Sequence, residues 1–538
     1  MSNLIAMPTI RCLLMLCAFL LPASLAAQKE APPNQAAQKD AKDSTTAKPS
    51  AEKAEQWVTR HTVTIGGKPV SYVATAGTLI IRDSSDTPVA SFGYVAYTRP
   101  DVKDPATRPL TFAYNGGPGS SSVWLHMGAL GPRRVMATDA GPTPPPPYRL
   151  ADNEYSLIDR TDLVMIDPVG TGISRPLGKK QNKDFWGVDP DIESISRFIK
   201  QFVTENGRWN SPKFLLGESY GTTRSAGIVD YLQTRENMAF NGVVLVSVAL
   251  DLEAIFEWPG NDRPYALFVP TFAATSYFHH ALPAPPADLN GFLQEVRAWS
   301  LGPYTNALME GNGLSDAERD TIAAKLHQYT GLSVDYIKKA NLRVSEGEYT
   351  QELLREHRET VGRLDSRFTG VTFDPLAQNA AYDPQSAAVS GAYTSAFLDY
   401  YHRELNVPRD RNYVITAHAF ESWDWKHRVP GESQPLPMVN TGPDLSHALS
   451  FNPNLRVLVL NGVYDLATPF LATEYMVSHL NIAPELRSHV IMKYYDAGHM
   501  MYLHEPSLVR MKSDVAAFVD ATGRVSQPGD VAKTATGR

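Results

Sequence analysis

The segment Phe214-Leu215-Leu216-Gly217-Glu218-Ser219-Tyr220-Gly221 decides the reading of this chain. Three apolar residues run into a G-x-S-x-G pattern, and Thr222 to Gln233 then follows a helical period. The pattern places Ser219 on a sharp turn between a buried strand and a helix, with its hydroxyl raised above a sheet edge. The flanking glycines relieve the steric conflict of such a turn. Similar apolar runs stand on either side: Leu110–Tyr114, Leu163–Ile166, Val243–Val246, Val457–Leu460 and Val490–Tyr494. Continuous apolar runs without alternation suit strands covered on both faces, as in a parallel sheet. Helical patterns such as Ile192 to Phe202 lie between them. Each run ends in glycine or polar residues, where open α/β sheets bind ligands.

Upstream, the pattern is antiparallel. His61–Ile65, the turn Gly66-Gly67-Lys68-Pro69 and Val70–Ala74 read as a hairpin. Thr78–Ile81 and Phe92–Tyr97 read as further strands. The stretch 253–444 interrupts the sheet with aromatic- and proline-rich loops and helix patterns, and is expected to be a mainly helical cap. Ser315-Asp316-Ala317-Glu318 is a capping box opening a helix to about Tyr329. Glu346 to Arg363 is a second helix candidate. The expected division is therefore a core in two parts, 57–252 and 445–524, around the insertion 253–444.

An alcohol is a poor nucleophile until a base takes its proton, and the base needs an acid to orient it. On this kind of sheet the order along the chain is serine, acid, histidine. Asp465, in Asn461-Gly462-Val463-Tyr464-Asp465, and His499, in Asp496-Ala497-Gly498-His499-Met500, follow Ser219 in that order at the ends of the last two strand runs. Asp496 and Asp444 compete for the acid's place; His504, His447 and His427 compete for the base's. Acyl transfer also needs donors for a tetrahedral oxyanion. The loop Asn115-Gly116-Gly117-Pro118-Gly119 offers the Gly117 N–H, and Tyr220 offers the N–H of the residue after the nucleophile.

Taken together, Asn115–Gly119, Asp167-Pro168-Val169-Gly170-Thr171-Gly172, Gly217–Gly221, the late Asp465 and Ala497-Gly498-His499-Met500 resemble the serine carboxypeptidase family. The likeness runs from about Leu110 to Pro506, with the motifs in order. It implies an α/β-hydrolase fold: a mostly parallel central sheet with helices on both faces and the cap inserted. It also implies removal of C-terminal residues from peptides through an acyl-enzyme. By the same resemblance Asn115, Gly116 and Glu218 bind the substrate's terminal carboxylate, and Met500 lines the leaving-residue pocket. Three positions depart from the family pattern. Ser120 stands where a cysteine is common, Ala129 where many members carry a second glutamate, and Ala113 where tryptophan is frequent. Arg133 or Arg134 could compensate for the missing glutamate by neutralising the carboxylate. The rival reading is a serine esterase or acyltransferase using the same three residues.

Composition bounds the remainder. The 538 residues are 43% hydrophobic and 20% charged, with a formal charge of −7, which gives no field for gripping nucleic acid or an anionic membrane. Arg11, the apolar run Cys12–Leu21 and the small residues Pro22–Ala27 read as a signal peptide over 1–27. A linker over 28–56 follows, and 525–538 reads as a disordered tail. Cleavage would remove both cysteines, Cys12 and Cys17. The expectation is an exported protein, periplasmic or secreted, off the membrane once processed. Peptides are the expected partners. No metal or organic cofactor is implied, because no ligand-spaced His/Cys/Glu cluster is present.

Overall fold

The computed structural model describes residues 53–523; the stretches read as a signal peptide (1–27) and a tail (525–538), and nearly all of the expected linker, lie outside this range. Strands β1 (Gln56–Ile65), β2 (Lys68–Arg82) and β3 (Pro88–Thr98) form an antiparallel meander. The turn Gly66-Gly67 closes its first hairpin as the sequence predicts. Val70–Ala74 and Thr78–Ile81 are one continuous strand rather than two, because the chain runs on through Gly77 without turning. Gly77 passes close to the backbone of Glu55, the type of approach that admits a glycine within a strand.

Six strands then run parallel. They are β4 (Leu110–Tyr114), β5 (Asp162–Ile166), β6 (Lys213–Ser219), β7 (Gly242–Val248), β8 (Arg456–Gly462) and β9 (Val490–Tyr495). Their spatial order is β1-β2-β3-β5-β4-β6-β7-β8-β9, and Arg175–Pro176 adds a short bridge to β3. The chain thus crosses over between β4 and β6, and loops from both sides of that reversal meet above the central strand ends. The fold is the expected mostly parallel mixed sheet.

Alternate residues of the central strands enter two different cores. Leu215, Val243, Leu245, Val457 and Val459 face one; Leu216, Val244, Val246, Leu458 and Leu460 face the other. Helices α1 (Val188–Glu205) and α2 (Tyr220–Glu236) cover the first face through Ile195, Phe198, Ile228 and Leu232. This two-sided burial explains why the runs carry no polar alternation.

Between β7 and β8 the chain is largely helical. Helices α3 (Arg263–Phe278), α4 (Leu289–Trp299) and α5 (Asp316–Thr330) pack against the first core, and α5 opens on the Ser315/Glu318 capping box. The helix expected over Glu346–Arg363 is only partly formed. It stops at Glu352 and turns at Arg358 (φ 58°). It then gives way to a strand at Glu359–Val361, paired with Thr369–Val371, where β-branched Thr360 and Val361 are buried.

Helix α6 (Pro384–Arg403) packs Val389, Ala392, Tyr393 and Phe397 into the second core, while its first turns line the cavity described below. Helices α7 (Gly442–Phe451), α8 (Phe470–Ser478) and α9 (Glu505–Thr522) complete the layers. No helix among the described residues is long and apolar enough to cross a membrane.

Candidate active site

The strand ends bring Asn115, Ser219, Ala249, Asp465 and His499 into one region. Ser219 closes β6 and caps α2 with φ 61° and ψ −130°, a conformation L residues rarely hold. The chain can double back there only because glycine stands at 217. A Cβ on Gly217 would fall 2.1 Å from the carbonyl oxygen of Gly221. The loop after β4 is pressed onto the same elbow, since a Cβ on Gly116 would lie 2.4 Å from the Tyr220 nitrogen. Gly117 and Tyr220 both line the cavity on either side of this contact. Thr222 secures the elbow from behind. Its hydroxyl donates to the Ser219 carbonyl (2.7 Å) and accepts from Ala249 N (2.8 Å).

His499 is held at both ends. Its Nδ1 lies 2.8 Å from Oδ2 of fully buried Asp465. Asp465 also accepts from Ala467 N (2.8 Å), Thr468 N (2.9 Å) and the Thr468 hydroxyl (2.7 Å), so its orientation is fixed. The His499 backbone N–H donates to Leu364 O (2.7 Å), and its carbonyl accepts from Ser247 Oγ (2.9 Å). Burial pulls the imidazole's pKa down, but the charge and hydrogen bond of Asp465 outweigh it and leave His499 above the ordinary histidine range.

The rival acids and bases are occupied elsewhere. His427 bridges Asp189 (2.6 Å) and Asp444 (2.9 Å), His447 pairs with Asp230, His504 with Ser507, and Asp496 is exposed near Arg510.

Glu218 is 3% exposed. Asn115 Nδ2 donates to its Oε1 (2.9 Å), while Asn115 Oδ1 accepts from Leu125 N (3.0 Å). The buried hydroxyl of Tyr502 stands beside the carboxyl and interacts with it. Burial, opposed by the positive charge of His499, pushes the Glu218 carboxyl up to about 7. At neutral pH the group is thus shared between its acid and its anion. Ala129 is buried beyond the site, and neither Arg133 nor Arg134 reaches it. Arg133 pairs with Asp152 and Glu404, and Arg134 with Glu505. The basic side chain at the site is instead Arg363.

Ser219, His499, Asn115, Gly116, Gly117, Glu218, Tyr220 and Met500 all line one cavity of about 430 Å³. Beside Tyr220 its wall is aromatic: Phe256, Phe420 and Trp425 pack edge to face, with Phe420 and Trp425 centroids 5.0 Å apart. Beside His499 the wall is polar, with Arg363, Gln385 and Ser386. None of these wall residues belongs to a motif. They come from loops of the insertion and the start of α6, and no local spacing marks them.

Sequence reasoning also missed Arg224, one turn and a half along α2 from the serine. Fully buried, it donates to both oxygens of Asp191 (2.7 and 3.3 Å) and to Asn115 O (2.7 Å), between the rings of Tyr114 and Tyr220. It ties α1, α2 and the glycine loop together. Arg224→Met leaves Asp191 buried without its partner. Urea unfolding is expected to show a loss of about 3–5 kcal/mol, partly recovered when Asp191→Leu is added. A loss under about 1 kcal/mol would show that the pair is dispensable.

A serine in a left-handed turn between a buried strand and a helix, facing an Asp–His pair carried by later strands, defines the α/β hydrolases. Residues 85–251 match the family model described as serine carboxypeptidase. It is 33% identical over 124 residues to the pheromone-processing carboxypeptidase KEX1 of Saccharomyces cerevisiae, covering 23% of this chain and 15% of that protein. It is 27% identical over 179 residues to serine carboxypeptidase-like 36 of Arabidopsis thaliana, covering 30% of this chain and 35% of the relative. The chain thus matches well under two thirds of the length of these relatives. Among solved structures, that of the yeast prohormone-processing carboxypeptidase KEX1(delta)p superimposes with a TM-score of 0.53 at 14% identity, over 85% of this chain and 93% of that one, a likeness of fold.

Proposed function

We propose that this protein is a serine carboxypeptidase that removes C-terminal residues from peptides through an acyl-enzyme. Ser219 attacks the scissile carbonyl as His499 takes its proton. Asp465 holds the imidazole in the tautomer that leaves Nε2 free to accept. The oxyanion is received by the amides of Gly117 and Tyr220. His499 then protonates the leaving amine, and water repeats the sequence in reverse to release the acid. The observation that carries the exopeptidase reading is the buried Asn115–Glu218 pair next to the serine, which lines the same cavity. A half-protonated carboxyl is suited to sharing a proton with a peptide's terminal carboxylate. The leader-like sequence at 1–27 supports a periplasmic or secreted location.

The reading is tested with matched peptides ending in a free acid or an amide, with stepwise loss of residues followed by mass spectrometry. The acid is expected to be trimmed and the amide spared. Equal trimming, or turnover of simple esters alone, would favour the esterase or acyltransferase reading.

The pH dependence follows from the same pair. Two carboxylates cannot both be ionised at contact, so peptide binding requires Glu218 in its acid form. As pH rises from 6 to 8 through a value of about 7, that form is lost. KM for a free-acid peptide is expected to rise about tenfold over this interval. Glu218→Gln keeps the shape without the titrating proton, and its KM is expected to stay within about threefold. Superimposable profiles for the two proteins would remove Glu218 from carboxylate recognition.

A further inference from the structure

The polar wall beside His499 has a built architecture. Asp383 caps α6 by accepting from Ser386 N (2.6 Å) through one oxygen. Through the other it accepts from the backbone N–H groups of Arg363 (2.7 Å) and Leu364 (3.0 Å). One carboxylate therefore locks the Arg363–Leu364 turn onto the start of α6, and Leu364 in turn receives the His499 N–H. Arg363 and Gln385 both line the cavity from this corner. Gln385 is fully buried, yet neither its Nε2 nor its Oε1 has a hydrogen-bond partner among the described residues. A buried amide left without partners is costly in a folded protein, and one that borders a substrate cavity is explained by a ligand that satisfies it.

We infer that Arg363 and Gln385 recognise the side-chain carboxylate of an acidic residue at the substrate's C-terminus, giving the enzyme a preference for peptides that end in Glu or Asp. The inference rests on the carboxypeptidase reading and deepens it. In that reaction His499 delivers its proton to the leaving amine, so the leaving residue lies against the imidazole. The wall on that side is the one bearing Arg363, whose charge is felt at His499. The aromatic wall lies across the cavity, beside Tyr220. A guanidinium with a second N–H donor beside it matches a carboxylate and discriminates against the neutral amide of the same shape.

Arg363 pairs with Glu346 through Nε at 3.5 Å, a loose ion pair rather than a close hydrogen-bonded one. Burial pushes Glu346 up to about 7, against the pull of Arg363 and with the charges of Glu257 and Asp383 adding to the rise. The rise moves Glu346 toward its neutral form, which weakens its hold on the guanidinium.

The experiment compares three peptides identical except for a last residue of Glu, Gln or Leu, at pH 6, with release of that residue quantified. The wild-type protein is expected to favour Glu over Gln by about tenfold to a hundredfold in kcat/KM. Arg363→Gln is expected to bring that ratio within about threefold, and Gln385→Leu to lower it severalfold. Gln or Leu released as fast as Glu by the wild-type protein would overturn the inference, with no variant needed. Arg363→Gln slowing all three equally would overturn it too, placing Arg363 on the terminal carboxylate. Release of Gln and Leu without preference leaves the carboxypeptidase reading standing. If no peptide loses its last residue, that reading falls and takes this one with it.

Discussion

Ser219→Ala is expected to lower kcat by about 10⁴–10⁶ on any substrate the enzyme turns over, because nucleophile and base act as a unit. Its effect on folding is small by comparison. The serine hydroxyl faces the cavity rather than the core, and the elbow is held by the Thr222 bridge and by the Gly217–Gly221 contact, which the substitution leaves alone. Alanine inherits the same left-handed backbone and the same strain, so the thermal midpoint is expected to move by no more than a few degrees. Rate and midpoint should be measured on the same preparation. A folded variant retaining more than about 1% of wild-type kcat would remove Ser219 from the role of nucleophile.

Asp465→Asn is expected to cost about 10⁴ in kcat with little change in KM. Asparagine can still accept from the amides of Ala467 and Thr468 through its oxygen. Its amide nitrogen would then face Nδ1 of His499, donor against donor, unless the ring takes the opposite tautomer. That tautomer places the proton on Nε2, where it cannot accept from Ser219. The loss of the aspartate's charge also removes the main influence that raises His499 above its ordinary range. The residual activity should therefore titrate at lower pH than the wild type's acid limb. A variant within tenfold of wild type, or one whose acid limb does not move, would show that Asp465 is not the residue orienting the base.

Much of this site was legible in the sequence because it depends on backbone events with strong local signatures. A strand that turns back into a helix around a serine needs Gly217 and Gly221, and a loop that touches that turn needs Gly116. Asp465 and His499 stood at the ends of apolar runs, so the parallel sheet itself carried them to the serine. Helix α5 was legible through Ser315 and Glu318 for the same local reason. The walls of the cavity were not. Phe256, Arg363, Gln385 and Trp425 come from four separate stretches, and only the packing of the insertion brings them together. Arg224 was invisible because its partners, Asp191 and the Asn115 carbonyl, lie 33 and 109 positions away. The helix expected up to Arg363 ends at Glu352, and beyond it the pairing of Glu359–Val361 with Thr369–Val371 outweighs helical preference. The compensation sought in Arg133 or Arg134 was answered by position: both are held in ion pairs away from the cavity.

The hydrogen bond from the His499 backbone to Leu364 couples two parts of the chain that lie far apart in sequence. The imidazole is borne by the sheet but braced by the insertion. A shift of the Arg363–Leu364 turn would therefore be felt at the histidine itself, so the wall of the cavity and the group at its floor are one mechanical unit.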